Sequence, residues 1–406
     1  MGIILAITFL YLDSVTGYTP KGRFRVIFSG SSESARSILS AISGAMINVA
    51  GTVFSITLVV LTLASSQFGP RLLRNFMYKR INQVVLGSFA STYLYCLLVL
   101  NAVKGSDDFT FVPNISVLFA LFLAVINIVL LIVFIHSVSV SIQTSQVVKS
   151  IGEDFEHACD NIFPSGLGKD SSAEPATVLE GYGLKKKIHS ENNGYIQFID
   201  EKIIKLASEK DLVVHLLLRP GEYVGKNFLI AELYSKTTVE NSLIQEVATC
   251  FQTDRARSKF EDTEFAIHQL DEIAVRALSP GINDPYTAIN CIDILNGLLY
   301  NVMNMRFPTA QRADDKGNLR LITNALTFES FVDASFNQIR QFGSTIPAVI
   351  IHLAKSLLHL HNNCTIPEHK KIIYFHINKV FEAGREQFKN SYDIADLNTI
   401  MPVTVE

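Results

Sequence analysis

Three stretches of the sequence are long and apolar enough to decide what the chain can be. They are AISGAMINVAGTVFSITLVVLTLAS at 41–65, QVVLGSFASTYLYCLLVLNAV at 83–103 and PNISVLFALFLAVINIVLLIVFIH at 113–136. A helix needs about 20 apolar residues to cross a hydrocarbon core. Lipid offers no partner to a backbone N–H or C=O, so such a segment must bond internally, as a helix. No Asp, Glu, Lys or Arg interrupts any of the three, which argues against a proton relay or an ion-coupled transporter. A fourth run, GIILAITFLYL at 2–12, covers about half a bilayer. It lacks the basic start and small-residue cleavage site of a signal peptide, so it reads as a short or truncated first transmembrane helix.

The whole chain is 48% hydrophobic and 18% charged. That is too apolar for an ordinary soluble protein and too charged for one embedded throughout. A membrane domain of three to four transmembrane helices joined to a soluble α+β domain resolves the conflict. A net charge of −3 leaves no basic footprint for nucleic acid. The five cysteines are scattered and never form a CxxC pair, so neither a disulfide framework nor a zinc cluster is expected.

Orientation follows from the loops. SQFGPRLLRNFMYKRIN carries Arg71, Arg74, Lys79 and Arg80 with no acid, whereas KGSDDFTFV sets Lys104 against Asp107 and Asp108. By the positive-inside rule the first loop is cytoplasmic. Everything after 137 is then cytoplasmic too, in a multi-pass protein of a bacterial inner membrane. Lys21, Arg23, Arg25 and Arg36 fall on the opposite side in this arrangement and are only partly offset by Asp13 and Glu33. The four basic loop residues are also candidates for anionic lipid headgroups.

The first long run carries recurrent hydroxyl and amide groups, among them Ser40, Ser43, Asn48, Thr57 and Ser65, with Gly44 and Gly51 between them. Such residues in lipid serve close helix packing or line a polar path. Thr52, Ser55, Thr62 and Ser66 are the path-lining candidates, and a path built on one such helix implies a homo-oligomer.

Beyond the spans, helical periodicity continues over 137–163 until Pro164 ends it. PSGLGKDSSAEPATVLEG, at 164–181, reads as a linker. A small β-rich module is expected over 182–237, with GYIQFID as a strand, EKIIKLASEK as a helix and LVVHLLLRPGEYVGKNFLIAELY as three strands separated by turns. The Pro220-Gly221 turn with Tyr223-Val224 resembles the hairpin of a barrel-sandwich module of the lipoyl type. Lys226 lacks the sequence context of a carrier lysine, and Asn227 stands where such hairpins favour Gly but tolerates the same left-handed conformation. A helical bundle fills 238–392, with helices at 238–254, 261–278, 285–304, 327–342, 345–362 and 367–389, a turn at ADDKGN, and a tail over 393–406.

No P-loop, GxGxxG, HExxH or GxSxG is present, so no enzyme, catalytic residue, cofactor or metal is expected. His268, Asp271 and Glu272 share one helix face and read as a solvated surface rather than a cation site. His352, His359, His361 and His369 have no regular ligand spacing. RALSPGINDPYTAINCID, at 276–293, reads as a tight corner between helices. Pro280 stops the first, Gly281 allows the reversal, Asn283 or Asp284 caps the second and Pro285 enters its first turn. A helix N-terminus beside Arg276 also makes Arg276, Asn283 and Asp284 candidates for a ligand or anion site.

GAMINVAGTVFSITLVVLTLASSQFGPRLLRNF, INQVVLGSF, FIHSVSVSIQ, GYIQFID, RPGEYV and RALSPGINDPYTA together resemble the bacterial predicted-membrane-protein family known as domain of unknown function 2254. The resemblance covers nearly the whole chain. It implies an N-terminal multi-helix membrane part and a C-terminal soluble part, and it implies no reaction. The functional expectation is an oligomeric channel or conduit with a cytoplasmic regulatory domain. The alternative is a membrane-anchored sensing or scaffold protein without a pore.

Overall fold

The computed structural model describes residues 1–16, 31–68, 80–106, 109–141, 143–159, 167–257 and 264–400. It divides into two compact units, Met1–Gln146 and Val147–Glu406.

Among the described residues, the first unit contains four helices and a short hairpin. Helix α1 spans Gly2–Thr16, α2 Ser32–Phe68, α3 Arg80–Ala102 and α4 Asn114–Ser141. Strands β1 (Lys104–Ser106) and β2 (Phe109–Phe111) pair antiparallel between α3 and α4. Helices α2, α3 and α4 are each long and apolar enough to cross a membrane, and α1 is not. α2 has 37 residues, about 55 Å of helix, so it exceeds the hydrocarbon thickness. Its packed side is the line Leu39, Met46, Val53 and Ala64, all buried. Those spacings of seven and eleven residues return the side chains to one face every two or three turns. Val85 and Phe89 of α3 and Phe134 of α4 join Met46 and Val53 in one apolar cluster. A second cluster gathers Ala6, Leu39, Tyr95, Cys96 and Ala120, and there Phe9 of α1 stacks on Phe119 with ring centroids 4.0 Å apart.

Polar groups hold one end of this bundle. The buried Asp13 carboxylate accepts hydrogen bonds from the Ile115 and Ser116 N–H groups, both at 2.9 Å, and from the Ser116 hydroxyl at 2.6 Å. It therefore satisfies free N–H groups in the first turn of α4 from the end of α1. Tyr95 donates its hydroxyl to the Ser116 carbonyl at 2.9 Å. Arg36 donates to the Val103 carbonyl at 2.8 Å, just past the end of α3, where a cation meets the negative end of the helix dipole. Two charges that read as loop residues are thus helix-terminal fastenings. Deeper in the bundle, Asn127 donates to the Thr92 hydroxyl at 2.8 Å, and both residues are buried.

Helix α4 ends at Ser141 and helix α5 spans Thr144–Cys159.

The second unit opens with the buried side of α5, Val147, Val148 and Ile151. The expected linker contains structure: β3 (Lys169–Asp170) and the short helix α6 (Pro175–Leu179). Arg312 explains β3, because it bonds both the Asp170 carboxylate and the Gly168 carbonyl. The strands β4 (Leu184–His189), β5 (Gly194–Ile199), β6 (Leu212–Leu216), β7 (Tyr223–Val224) and β8 (Leu229–Ser235) follow, with α7 (Lys202–Glu209) between β5 and β6.

Next come α8 (Asn241–Thr249) and β9 (Phe251–Asp254), so the helix expected over 238–254 ends early and turns into a strand. β9 pairs with β5, which is the contact that outweighs helix continuation there. Two further strands, β10 (Gln311–Ala313) and β11 (Leu319–Ile322), flank the ADDKGN turn. One sheet has the order β3-β10-β11-β6-β8-β4 and the other β7-β5-β9. Among the described strands only the β11–β6 pairing is parallel. Both sheets are open, so the barrel-like closure expected for 182–237 is replaced, among the described residues, by two sheets that recruit strands from outside that range. Asn227 has a φ of 66°, the left-handed conformation its position requires.

The helical part contains α9 (Glu264–Ala277), α10 (Pro285–Val302), α11 (Phe328–Gly343), α12 (Pro347–Asn363), α13 (Pro367–Gln387) and α14 (Ser391–Ile400). Thr327 and Ser330 form a reciprocal capping box at the start of α11. α14 occupies most of the expected tail, because Leu397 is fully buried and would lie 2.5 Å from a Cβ placed on Gly384.

Candidate functional site

The stripe on α2 is built by helical periodicity alone. Thr52, Ser55, Thr62 and Ser66 are all exposed. They lie on the side of α2 opposite Leu39, Met46, Val53 and Ala64, as 3.6 residues per turn dictates. Exposed Ala41, Gly44, Asn48 and Gly51 extend the same line towards the helix start. A Cβ placed on Gly44 or Gly51 would meet nothing within 4 Å. Each candidate hydroxyl donates to a carbonyl of its own helix: Thr52 to Asn48 at 3.1 Å, Ser55 to Gly51 at 2.9 Å, Thr62 to Leu58 at 2.9 Å and Ser66 to Leu63 at 2.9 Å. The hydroxyl proton is thereby satisfied within the helix itself. The stripe offers acceptors without formal charge. It faces away from the described helices of its own bundle.

Arg80 is the exposed first residue of α3, and Arg71, Arg74 and Lys79 lie outside the described residues.

The corner at 276–293 is closed by its own groups. Asn283 N–H donates to the Ser279 carbonyl at 2.9 Å and Asp284 N–H to the Ala277 carbonyl at 2.8 Å. Asn283 has a φ of 51°, a conformation that Asn accepts more readily than most residues. The Asp284 carboxylate accepts from the Thr287 N–H at 3.1 Å and the Thr287 hydroxyl at 2.6 Å. The free N-terminus of α10 therefore already carries a negative charge, and an incoming anion would meet repulsion there despite the nearby Arg276. Ile282 and Tyr286 project from the corner, with Tyr286 82% exposed.

The histidines do not assemble. His352 pairs with Asp293 at 2.6 Å, His369 bonds the Met303 carbonyl at 2.7 Å, and His359 stacks on Tyr300. Buried His376 sits 3.3 Å from Asp333, and burial lowers its pKa to about 4. No group of three His, Cys, Asp or Glu side chains placed to hold a metal occurs among the described residues.

Asp271 departs most from the sequence reading. It is buried, its Oδ1 has no hydrogen-bond partner, and burial raises its pKa to about 7, with a smaller contribution from Glu272. Ile267, Leu270 and Ala274 are buried beside it. That apolar spacing was a usable sign that Asp271 faces inward.

A protein of Mycobacterium bovis and another of Mycobacterium tuberculosis, both described as uncharacterised, are each 30% identical to the chain over 383 residues, covering 91% of it and 72% of the relative. No solved structure matches the chain. The family described as "predicted membrane protein (DUF2254)" matches residues 1–359, a span that takes in the described helices of the first unit, the strands of the second and the corner at 276–293. The chain belongs to this DUF2254 family of predicted membrane proteins.

Proposed function

We propose that the protein is an oligomeric channel or conduit of a bacterial inner membrane, in which several copies bring their α2 stripes together around a path. The second unit is its cytoplasmic regulatory part, and no step of catalysis is assigned to it. The observation that carries this reading is the placement of Thr52, Ser55, Thr62 and Ser66 on the exposed side of α2, away from its packed face. An uncharged row of acceptors suits weak, multi-site passage. On this reading, replacing Thr52 or Ser55 by Leu reduces ion flux through liposomes several-fold while the protein still folds. Absence of flux from the unmodified protein under every ionic condition would remove the conduit.

The alternative is a membrane-anchored sensing or scaffold protein. It draws on the same stripe, since open Gly44 and Gly51 also permit a dry, close helix–helix seam. A flux-inactive protein whose copies cross-link through α2 would favour it.

The orientation rests on Arg71, Arg74, Lys79 and Arg80, each of which gains on the order of 1 kcal/mol at an anionic leaflet. A reporter active only in the periplasm, fused after Glu406, should stay silent. A strong signal would reverse the topology.

A further inference from the structure

We propose that Asp271 is a proton-operated latch in the helical part of the second unit: neutral, it lets α9 lie against α10 and α11, and ionised, it favours opening of that seam. The proposal is independent of the conduit reading.

The geometry leaves the carboxyl few options. Asp271 is 3% exposed, and its Oδ1 is buried without a donor. An ionised carboxylate has only acceptor sites, and burying one unpaired is costly enough that the group neutralises instead. Among the described residues α10 carries no Lys or Arg, and the one cation of α11, Arg340, acts on His376 of α13 and not on Asp271. The buried residues of α10 are Ala288, Cys291, Ile292, Leu295, Leu298, Leu299 and Val302, and those of α11 are Phe328, Phe331, Val332, Ser335, Phe336, Ile339 and Gly343. Cys291 is the one titratable group in these two sets, and burial pushes its thiol up, so it stays protonated and uncharged. Asp284 at the head of α10 adds negative charge to the same region. On α9 itself, Glu272 repels a second charge, His268 is a neighbour three residues earlier, and Arg276 stands five residues later.

The sign follows from the raised pKa. In the closed seam the carboxyl holds its proton up to about pH 7, whereas a solvated aspartate releases it near pH 4. The latch is therefore fully closed in acid and is lost progressively as pH rises through 7. His376 has the opposite sign. Its lowered pKa destabilises the fold as pH falls below its ordinary value towards about 4. Comparison with Asp271→Asn, which keeps every histidine, separates Asp271 from it and from the pair that His352 makes with Asp293 of α10.

The test is amide hydrogen exchange of the full chain in lipid nanodiscs, corrected for the intrinsic pH dependence of exchange. Opening of α9 and α10 should increase about tenfold between pH 6 and pH 8, and Asp271→Asn should flatten that change. Equal protection at both pH values, or the same change in Asp271→Asn, overturns the proposal. Should the variant not fold, infrared spectra of the unmodified protein with isotope-labelled aspartate decide. A protonated-carboxyl band that vanishes near pH 7 supports the latch, and no such band above pH 6 refutes it.

Discussion

Replacing Arg320 by Met should destabilise the sheet region of the second unit by about 3–5 kcal/mol, the usual consequence of removing one partner from a buried ion pair. The Arg320 side chain is 7% exposed and the Asp314 side chain 6%. Nε of Arg320 donates to Asp314 at 2.8 Å, and Nη1 donates to Asp211 at 2.7 Å. Asp314 also accepts from the Ser208 hydroxyl and from the Lys316 and Asn318 N–H groups. These contacts tie the β10–β11 turn to the end of α7 and the start of β6. Without Arg320 the Asp314 carboxylate stays buried with only neutral donors. Asp211 loses less, because it is half exposed and keeps Lys236 at 2.8 Å.

Amide exchange at Leu319–Ile322 measures the loss locally, which avoids assuming that a chain of two units unfolds in one step. Unchanged protection there would show that the pair is dispensable. Combining Arg320→Met with Asp314→Leu should recover part of the loss, since no charge is then stranded. Acid should mimic the single variant. Burial works against the Asp314 charge, but its hydrogen bonds, Arg320 foremost, prevail and lower its pKa to about 2, and bonds from Lys236 and Arg320 do the same for Asp211. Their contribution is present above about pH 4 and disappears as pH falls towards 2.

The membrane unit was largely legible because a bilayer imposes one length and one periodicity on any helix that crosses it. The helices of the second unit were also readable, and the ADDKGN turn was located correctly. Its flanking strands were not. β11 is only four residues long, LRLI, all of them buried, and its identity depends on pairing with β6, more than a hundred residues earlier in the chain. β9 was hidden in the same way, as the four residues FQTD attached to a helical pattern and fixed only by β5. Composition alone revealed the α2 stripe, but its direction came from the buried line Leu39, Met46, Val53 and Ala64. The roles of Asp13 and Arg36 were out of reach, because each bonds a backbone group far away in sequence.

Asp13→Ala should release the end of α1 from α4 and cost about 3 kcal/mol. The estimate rests on losing three hydrogen bonds to one carboxylate, each worth about 1.5–3 kcal/mol when an ion takes part, offset partly by water entering the site. The Ile115 and Ser116 N–H groups have no carbonyl one turn earlier to accept them, because they belong to the first turn of α4. Their only acceptor among the described residues is the Asp13 side chain. Tyr95 depends on the same turn, because it donates to the Ser116 carbonyl, so loosening Ser116 also disturbs the contact between α3 and α4. Asp13→Asn should fall between Ala and the native residue, since one oxygen remains to accept. In lipid nanodiscs the Ile115 and Ser116 amides should exchange about a hundredfold faster in Asp13→Ala, matching 3 kcal/mol at 1.4 kcal/mol per decade. The Phe9–Phe119 stack should loosen with them. If both amides remain as slow as in the unmodified protein, water caps α4 equally well, and α1 is held by its apolar contacts with α3 and α4 rather than by Asp13.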